Sequence, residues 1–234
     1  QKHNISFTNG SEKGNYYLSL TYLDNNGIVK GNADVYKRLT ATINSEYEIK
    51  PWLKVGTTNQ IEKYNVRSVS SNNEYGSMLA SILQADPLTP FSYTYDELPS
   101  NMLKALTEGK HLLEDGNGNY YSVSKFTAGE SYHPMVMRDN NIGKSSGFNV
   151  NGSIYADFKP IKDLTVTSRF GYRLSGTRQS NTDLPFYGNA TQSRDFVSHN
   201  ATSSTSIYYQ WENFANYMKR FGMHTVTGMV GMSY

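Results

Sequence analysis

Polar and apolar side chains alternate over long stretches of this sequence, and this periodicity restricts its fold more than any other feature. Between Asn15 and Tyr22 the even positions are Tyr, Leu, Leu and Tyr, whereas the odd positions include Ser and Thr. Successive side chains of a β-strand point to opposite faces of the sheet. The alternation therefore predicts strands with one apolar and one polar face.

The same alternation recurs along the chain and predicts about eight strands in an antiparallel meander. The predicted strands are Lys2–Thr8, Asn15–Tyr22, Val35–Asn44, Trp52–Tyr64, Phe148–Phe158, Leu164–Tyr172, Thr205–Lys219 and His224–Tyr234. Most of them reach the ~9–11 residues that a tilted strand needs to cross a bilayer. We therefore expect an all-β chain whose strands are long enough to span a membrane.

Composition agrees with a sheet that separates two different solvents. Only 37% of the residues are hydrophobic, yet 13% are aromatic, and Tyr and Gly occur 19 times each. Apolar residues stand singly between polar ones, and no stretch approaches the ~18 consecutive apolar residues that indicate a membrane-spanning helix. This is the pattern of a barrel wall with one lipid-facing and one water-facing side.

The predicted connections fall into two length classes that alternate along the chain. The short ones are Asn9–Gly14, Glu48–Pro51, Lys159–Asp163 and Arg220–Met223, and the long ones are Asn25–Asp34, Asn65–Lys144 and Thr177–Ser203. In outer-membrane barrels the short turns are periplasmic and the long loops are extracellular. The asymmetry therefore predicts a β-barrel wall with all of its long loops on the extracellular side.

The predicted loop at about 65–144 is too long for a passive connection. Within it we predict one helix at Tyr75–Ala85, a second at Pro99–Glu108, and a type I′ hairpin turn at Asp115–Asn119. The last segment begins like a calcium-binding loop, but Tyr120 and Phe126 stand where that loop needs Gly and Glu. We expect this insert to cover the mouth of the barrel or to contact a partner.

Several function classes are disfavoured by what the sequence contains. The net charge is +2, with 22 basic and 20 acidic residues mixed along the chain, so no basic stripe indicates nucleic-acid binding. Cysteine is absent, and the five histidines have no metal-ligand spacing. No phosphate-binding loop or nucleophile elbow occurs. We therefore predict no catalytic residue, no metal site and no cofactor, and we expect that the chain is not an enzyme.

Aromatic residues are the candidate functional side chains, and they form two groups. Those near predicted strand ends are expected to anchor at the membrane interface; they are Tyr16, Tyr22, Trp52, Tyr172 and Trp211. Those in predicted loops are candidates for contact with a ligand or a partner; they are Phe91, Tyr93, Tyr95, Tyr120, Tyr121, Tyr132 and Tyr187.

Several motifs together resemble the SusC/RagA family of TonB-dependent transporters. They are His3–Phe7, Gly10–Tyr17, Tyr22–Val29, Tyr36–Thr40, Trp52–Gly56, the Asp86-Pro87 step and Arg169–Tyr172. The match covers most of the predicted strands, in the order in which that family uses them.

The resemblance implies part of a large, 22-stranded transmembrane β-barrel with an internal plug. It further implies import of oligosaccharides or peptides across the bacterial outer membrane, with a SusD-like surface lipoprotein as lid and energy from TonB. Residues 1–234 would be a partial β-barrel domain, because the plug and the TonB box are absent from this chain. The wall motifs do not distinguish sugar from peptide as the substrate.

Two other folds fit parts of the pattern. A soluble β-sandwich module that binds glycans would pack two sheets around one dry core. A complete small barrel of eight strands would end in the aromatic Tyr234. Strand length and loop asymmetry disfavour the sandwich, and the resemblance to interior strands of a larger barrel disfavours the small barrel.

Overall fold

The computed structural model describes residues 1–69, 77–126 and 132–234. In chain order the elements are β1 (Lys2–Ser11), β2 (Gly14–Asn26), β3 (Val35–Lys50), β4 (Leu53–Arg67), α1 (Met78–Leu83), β5 (Ser92–Tyr93), a short 3-10 helix (Tyr95–Glu97), α2 (Ser100–Thr107), β6 (Tyr120–Tyr121), α3 (Pro134–Asp139), β7 (Asn141–Ile161), β8 (Leu164–Asp183), β9 (Phe186–Tyr187), β10 (Ser193–Arg194), β11 (Ser198–Phe221) and β12 (His224–Ser233). None of the helices that the structure describes has the length and hydropathy needed to cross a bilayer.

Eight strands form one antiparallel sheet in the order β1-β2-β3-β4-β7-β8-β11-β12. Every hydrogen-bonded neighbour is also the next long strand along the chain, so the sheet is a meander. The predicted all-β meander of about eight strands is confirmed. We call these eight strands the wall.

The register of the wall sorts its side chains into rows of one polarity. One row of directly paired residues is apolar across seven strands, and it consists of Ile5, Leu20, Ala41, Ile61, Val150, Leu174 and Ile207. The adjacent row is polar, and it consists of Asn4, Thr21, Thr40, Glu62, Asn149, Ser175 and Ser206. Adjacent rows point to opposite faces of the sheet. The pairing therefore builds one apolar face and one polar face, and a slip of one residue would exchange them.

The connections alternate between two-residue turns and long loops. Turns at residues 12–13, 51–52, 162–163 and 222–223 lie at one rim of the sheet, and the long loops that follow β2, β4 and β8 begin and end at the other. Gly222 has a φ of 61°, a conformation that side-chain-bearing residues rarely adopt, and it lets the last turn close tightly. The predicted asymmetry of the connections is therefore present in the fold.

The strands at the long-loop rim extend further than their side-chain pattern predicts. β8 was expected to end at Tyr172 and β11 to begin at Thr205, yet the two strands pair as far as Asp183 and Ser198. The added segments are rich in Ser, Thr and Asn and show no apolar alternation. Backbone hydrogen bonds to the neighbouring strand hold them instead of burial of side chains, which explains why periodicity did not reveal them.

The loop elements agree with the sequence in part. α2 lies within the predicted helix Pro99–Glu108, and α1 lies within the predicted helix Tyr75–Ala85. The first residues of the latter prediction, 75 and 76, fall outside the described part of the chain. The predicted hairpin turn at Asp115–Asn119 is present, but its type is wrong. A type I′ turn needs positive φ at both central residues, whereas within this turn only Gly118 has one, at 83°.

Neither alternative fold is observed. Within residues 1–69, 77–126 and 132–234, the sheets other than the wall have two strands each, so no second large sheet packs against it as a sandwich requires. β1 and β12 form the two edges of the wall and do not pair with each other. The sheet is thus open, and it does not close as a small eight-stranded barrel.

Candidate functional site

The polar face of the wall carries hydrogen-bonded and charged side chains that lie across several strands. Lys54 Nζ lies 3.0 Å from Glu46 Oε1, and the Tyr155 hydroxyl donates to Glu46 Oε2 over 2.9 Å. Tyr155 is paired with Gly56, which is itself paired with Glu46. A Cβ at Gly56 would overlap the Tyr155 ring, so glycine lets the ring cross one strand to reach the next.

A second group on the same face is centred on Glu62 of β4. Arg38 Nη1 lies 3.4 Å from Glu62 Oε2, and Asn149 Nδ2 donates to Glu62 Oε1 over 3.0 Å. Nearby, Arg173 Nε donates to Asn151 Oδ1 over 2.9 Å. Charged groups of this density are stable only where water reaches them. The polar face therefore suits an aqueous lumen.

The described loop residues 77–126, 132–140 and 184–197 form a unit that we call the loop cap. Two small apolar clusters hold it together. The first contains Leu98, Met102, Leu112 and Val123 with Tyr93, Leu106, Tyr120 and Tyr187 packed around them. The second contains Tyr121, Val136 and Phe186 with Leu113, Tyr132 and Met135 around them. Each cluster joins segments that are distant in sequence, so the long loop is a folded unit.

An arginine links the loop cap to the loop between β2 and β3. Arg138 donates to both carboxylate oxygens of Asp139, over 2.6 and 2.7 Å, and to the backbone carbonyl of Lys30 over 2.9 Å. The Tyr121 hydroxyl donates to Asp139 over 3.0 Å and also lies 3.3 Å from Arg138 Nη2. The Asp139 carboxylate raises the pKa of Arg138 still further above its usual range. The loop between β2 and β3 and the loop cap are thus joined by the guanidinium of Arg138.

The turn at Asp115 is closed by its own carboxylate. Asp115 Oδ1 accepts from the backbone N–H groups of Asn117 and Asn119, over 2.8 and 3.0 Å, and Ser92 Oγ donates to Oδ2 over 3.3 Å. The hydrogen bonds from Asn119 and Asn117 lower the pKa of this carboxyl. The Asp115 carboxylate therefore fixes the turn through hydrogen bonds from the turn's own backbone.

A cavity of about 540 Å³ lies between α1, α3 and the segment before β5. Its wall includes Ile82, Phe91, Tyr132, His133, Met135 and Asn189. The rings of Phe91 and Tyr121 lie on either side of His133, each with its centroid 5.0 Å from the imidazole. This cavity is open to solvent on one side, where Ile82 and Phe91 are largely exposed.

His133 is neutral in this setting. Its Nδ1 accepts from the backbone N–H of Met135 over 3.1 Å, which caps the N-terminus of α3. Burial lowers the pKa of His133 to about 4, although a hydrogen bond with the Phe91 backbone and the charge of Asp139 act in the opposite direction. The imidazole therefore serves as a polar cap and a packing surface near pH 7.

The structure gives the seven predicted loop aromatics three different surroundings. Tyr121 is 4% exposed and belongs to a cluster core, whereas Tyr93, Tyr120 and Tyr187 pack around the other cluster. Phe91 and Tyr132 line the cavity, and Tyr95 is 63% exposed. A role for these residues in ligand or partner contact stays a prediction. Its geometric basis is strongest for Phe91 and Tyr132.

The five predicted interface aromatics lie at two levels of the wall. Trp52 is in a short turn, with its ring edge-on to Phe158 at 5.5 Å, and Tyr16 lies next to another short turn. Tyr22, Tyr172 and Trp211 are each separated from a short turn by roughly the ~9–11 residues that cross a bilayer. The Tyr172 hydroxyl donates to Asn59, two strands away, and Trp211 Nε1 donates to Ser168 Oγ over 2.9 Å.

The sequence patterns did not reveal some residues of the wall's aromatic levels and of the loop-cap cavity. Tyr209 has the same orientation as Trp211 and stacks on Phe170, with ring centroids 6.3 Å apart; its alternation was hidden among the neighbouring polar residues. Ile82, His133 and Met135 of the cavity were also missed. The His133-Pro134 pair is a helix-start signal, since proline is favoured in the first turn, and it could have indicated α3.

Known proteins are similar to this chain along nearly its whole length. No family model matches the sequence. The TonB-dependent receptor P39 of Formosa agariphila is 26% identical over 233 residues, which are 98% of this chain and 19% of that protein. The chain thus spans about a fifth of the length of this curated relative.

Solved structures give the same fold. The structure of the RagAB peptide transporter matches 99% of this chain and 24% of its own matched chain, with a TM-score of 0.68 and 22% identity. The RagAB peptide importer in its 'open-open' state matches with a TM-score of 0.69 and 22% identity, over 99% of this chain and 23% of that chain. The wall and its loops therefore have the same fold as part of these larger chains.

Proposed function

We propose that this chain, which belongs to the SusC/RagA family of TonB-dependent transporters, forms part of an outer-membrane importer for oligosaccharides or peptides. The wall strands supply one sector of the barrel, with the apolar face toward lipid and the polar face toward the lumen. The loop cap lies on the extracellular side and contributes to substrate docking. Residues 1–234 are accordingly a partial β-barrel domain of a transporter in the bacterial outer membrane.

The observation that carries this proposal is the pair of adjacent rows across seven strands. Within the described residues no second layer covers the apolar row, and its members Ile5, Ile61 and Ile207 are 54%, 44% and 72% exposed. Such a continuous apolar surface suits lipid, because monomeric soluble proteins rarely expose large apolar patches. The polar row with Glu62 and Asn149 suits a water-filled interior.

The open edges support a barrel with more strands. β1 and β12 each leave one side of the backbone without a partner strand in the described structure. In a bilayer, an unpaired strand edge is costly, because no water is available to bond its N–H and C=O groups. Further strands of a wider barrel would pair with both edges, in keeping with the family's 22-stranded architecture.

The two levels of aromatic residues fit interfacial girdles. We assign Tyr16 and Trp52 to the periplasmic girdle. Tyr22, Tyr172 and Trp211 belong to the extracellular girdle. At these levels a ring can lie among headgroups while its N–H or O–H meets water.

Partners and chemistry follow from the family. RagAB is named as a peptide transporter and importer, which supports peptides as one substrate class. A surface lipoprotein of the SusD type, which the family resemblance implies, would be the lid over the loop cap. TonB would supply energy through parts of the protein outside this chain. A transport role rather than catalysis is supported by the relatives, whose names describe receptors and transporters.

The test is to extract the full protein that carries this sequence from its native membrane. We expect it in the outer-membrane fraction, as a polypeptide several times longer than this chain, with a co-purifying surface lipoprotein. A folded barrel should migrate faster on a gel before boiling than after it. Recovery as a monodisperse protein in the aqueous phase without detergent would contradict the proposal.

A further inference from the structure

We propose that the cavity beside His133 binds an uncharged apolar side chain of a peptide substrate. This inference rests on the proposed import function and makes its substrate class more specific. Four features of the cavity carry it: preorganised rings, engaged charges, apolar side chains in the lining, and size.

The aromatic wall is held rigidly and yet is accessible. Phe91 stands edge-on to Tyr121, with ring centroids 5.7 Å apart, and edge-on to His133 at 5.0 Å, while 57% of the residue stays exposed. Tyr132 stacks on Phe186 with centroids 5.1 Å apart. Rings that are already fixed lose little conformational entropy when a ligand packs on them. The cavity is thus preorganised for contact with an apolar group.

The ionisable groups of the cavity wall are already engaged. Asp86 accepts from Thr89 Oγ1 over 2.6 Å, from Ser124 Oγ over 2.8 Å and from the backbone N–H of Leu88 over 2.9 Å. His133 accepts from Met135 and is neutral near pH 7. Among the described residues that line the cavity, a carboxylate, phosphate or sulfate would therefore find no cation.

Two polar side chains of the cavity wall also have partners within the loop cap. Asn189 Oδ1 accepts from the backbone N–H groups of Thr191 and Gln192, over 2.9 and 2.8 Å, and from Thr191 Oγ1 over 2.9 Å. Ser81 Oγ donates to Met137 Sδ over 3.9 Å. A sugar ring must exchange many water hydrogen bonds for protein ones, and the lining side chains Ile82, Phe91 and Met135 offer none. An aliphatic or aromatic side chain makes no such demand.

The size of the cavity fits this class of ligand. An apolar cavity of ~150 Å³ is enough to hold benzene, so about 540 Å³ has room for an aromatic side chain and the adjoining peptide backbone. Small-molecule sites typically measure ~300–1,000 Å³. The cavity is thus large enough to hold one anchor residue and too small for a folded domain.

The experiment uses the full-length transporter in detergent and a matched pair of synthetic peptides. Both have an uncharged Gly-Ser backbone and capped ends, and they differ only in the central residue, Phe in one and Asn in the other. We expect the Phe peptide to bind about tenfold to a hundredfold more tightly, as burial of one large apolar side chain implies. Equal affinity for the two peptides would overturn the inference.

Two variants assign that difference to the cavity. Ala85→Trp places a large ring in the cavity wall and should remove the preference for Phe, because the space is filled. Leu83→Trp is the matched control: Leu83 is close in sequence, is 78% exposed and does not line the cavity, so the preference should persist. Phe91→Ala should reduce the preference without filling the space. Loss of the preference in Leu83→Trp, or its retention in both cavity variants, would overturn the inference.

The outcomes separate this inference from the proposed function. If the protein is a membrane-embedded barrel that takes up substrate but shows no Phe preference, the cavity assignment fails and the importer stands. If Ala85→Trp releases the co-purifying lipoprotein while peptide affinity is unchanged, the cavity is a partner contact and the inference is wrong. If the protein is soluble, the importer itself fails.

Discussion

In the wall the least exposed side chains are polar, as at Ser19 and Thr167, whereas in the loop cap they are mostly apolar, as at Met102 and Val136. Among the described residues, all of the buried apolar side chains belong to the loop cap and none to the wall. The same residue types thus have opposite surroundings in two regions of one chain. The wall places its Leu, Ile and Phe side chains on an open face, and the loop cap places them inside.

The proposed position of the wall in a membrane accounts for the difference, because two solvents would then act on the two regions. In water, apolar area is driven inward, and each buried Leu, Met or Phe contributes about 1.5–3 kcal/mol. Next to lipid no such drive exists, so the wall depends on its backbone hydrogen bonds, which a bilayer makes obligatory. The loop cap should therefore be sensitive to core cavities, and the wall to charge on its apolar face.

The largest effect is expected in the loop cap. Met102 is 0% exposed at the centre of its cluster, so Met102→Ala should destabilise the cap by about 2–5 kcal/mol through a cavity. Limited proteolysis of the full protein should then cut within residues 77–126, while the barrel still shifts on boiling. Leu103→Ala, at a neighbouring position of α2 that is 39% exposed, is the control. Equal resistance to protease in both variants would contradict the two-solvent interpretation.

A somewhat smaller effect is expected in the wall, and it should depend on the face. Ile43 lies on the apolar face opposite Leu18, and the next residue, Asn44, lies on the polar face opposite Tyr17. Ile43→Arg should cost about 2–4 kcal/mol near the middle of a bilayer, whereas Asn44→Arg should cost much less. Unfolding by denaturant in lipid vesicles measures the difference. If both substitutions cost the same, the apolar face does not contact lipid.

The smallest expected effect depends on pH and is confined to the loop cap. The lowered pKa of His133 means that the unfolded cap binds a proton more readily than the folded one. The contribution of the neutral imidazole to the stability of the folded cap is complete above the usual pKa of about 6.5. This contribution is lost as the pH falls toward about 4, the pKa of His133 in the folded cap. The loss amounts to up to about 3 kcal/mol. Protease sensitivity of the cap measured between pH 7 and pH 4 should rise accordingly.

Two variants test that assignment. His133→Phe should flatten the pH dependence, because no proton can then bind at this position. His111→Phe should leave it unchanged, since His111 is an exposed histidine of the same unit. A pH dependence that survives in His133→Phe would show that another group causes it.

The paired core of the wall follows from the sequence pattern, whereas the outer ends of its strands do not. The strands β3 and β4 are predicted from the sequence as Val35–Asn44 and Trp52–Tyr64, because their alternation continues through the paired core of the sheet. The outer ends of β8 and β11 are not, because pairing there depends on backbone bonds between residues without periodicity. The surroundings of Tyr121 and Phe91 could not be predicted either. Both looked like loop aromatics, yet one is buried and the other is largely exposed.

By itself the sequence determined the two-residue repeat, the number of wall strands and the polarity of the two faces. Such a repeat is a local property, and each strand has it independently of the others. The tertiary structure decided which loop residues meet. Residues from three separate segments, Phe91, His133 and Asn189, come together around one cavity. Contacts of that kind depend on how distant segments close on one another, and no local pattern encodes that closure.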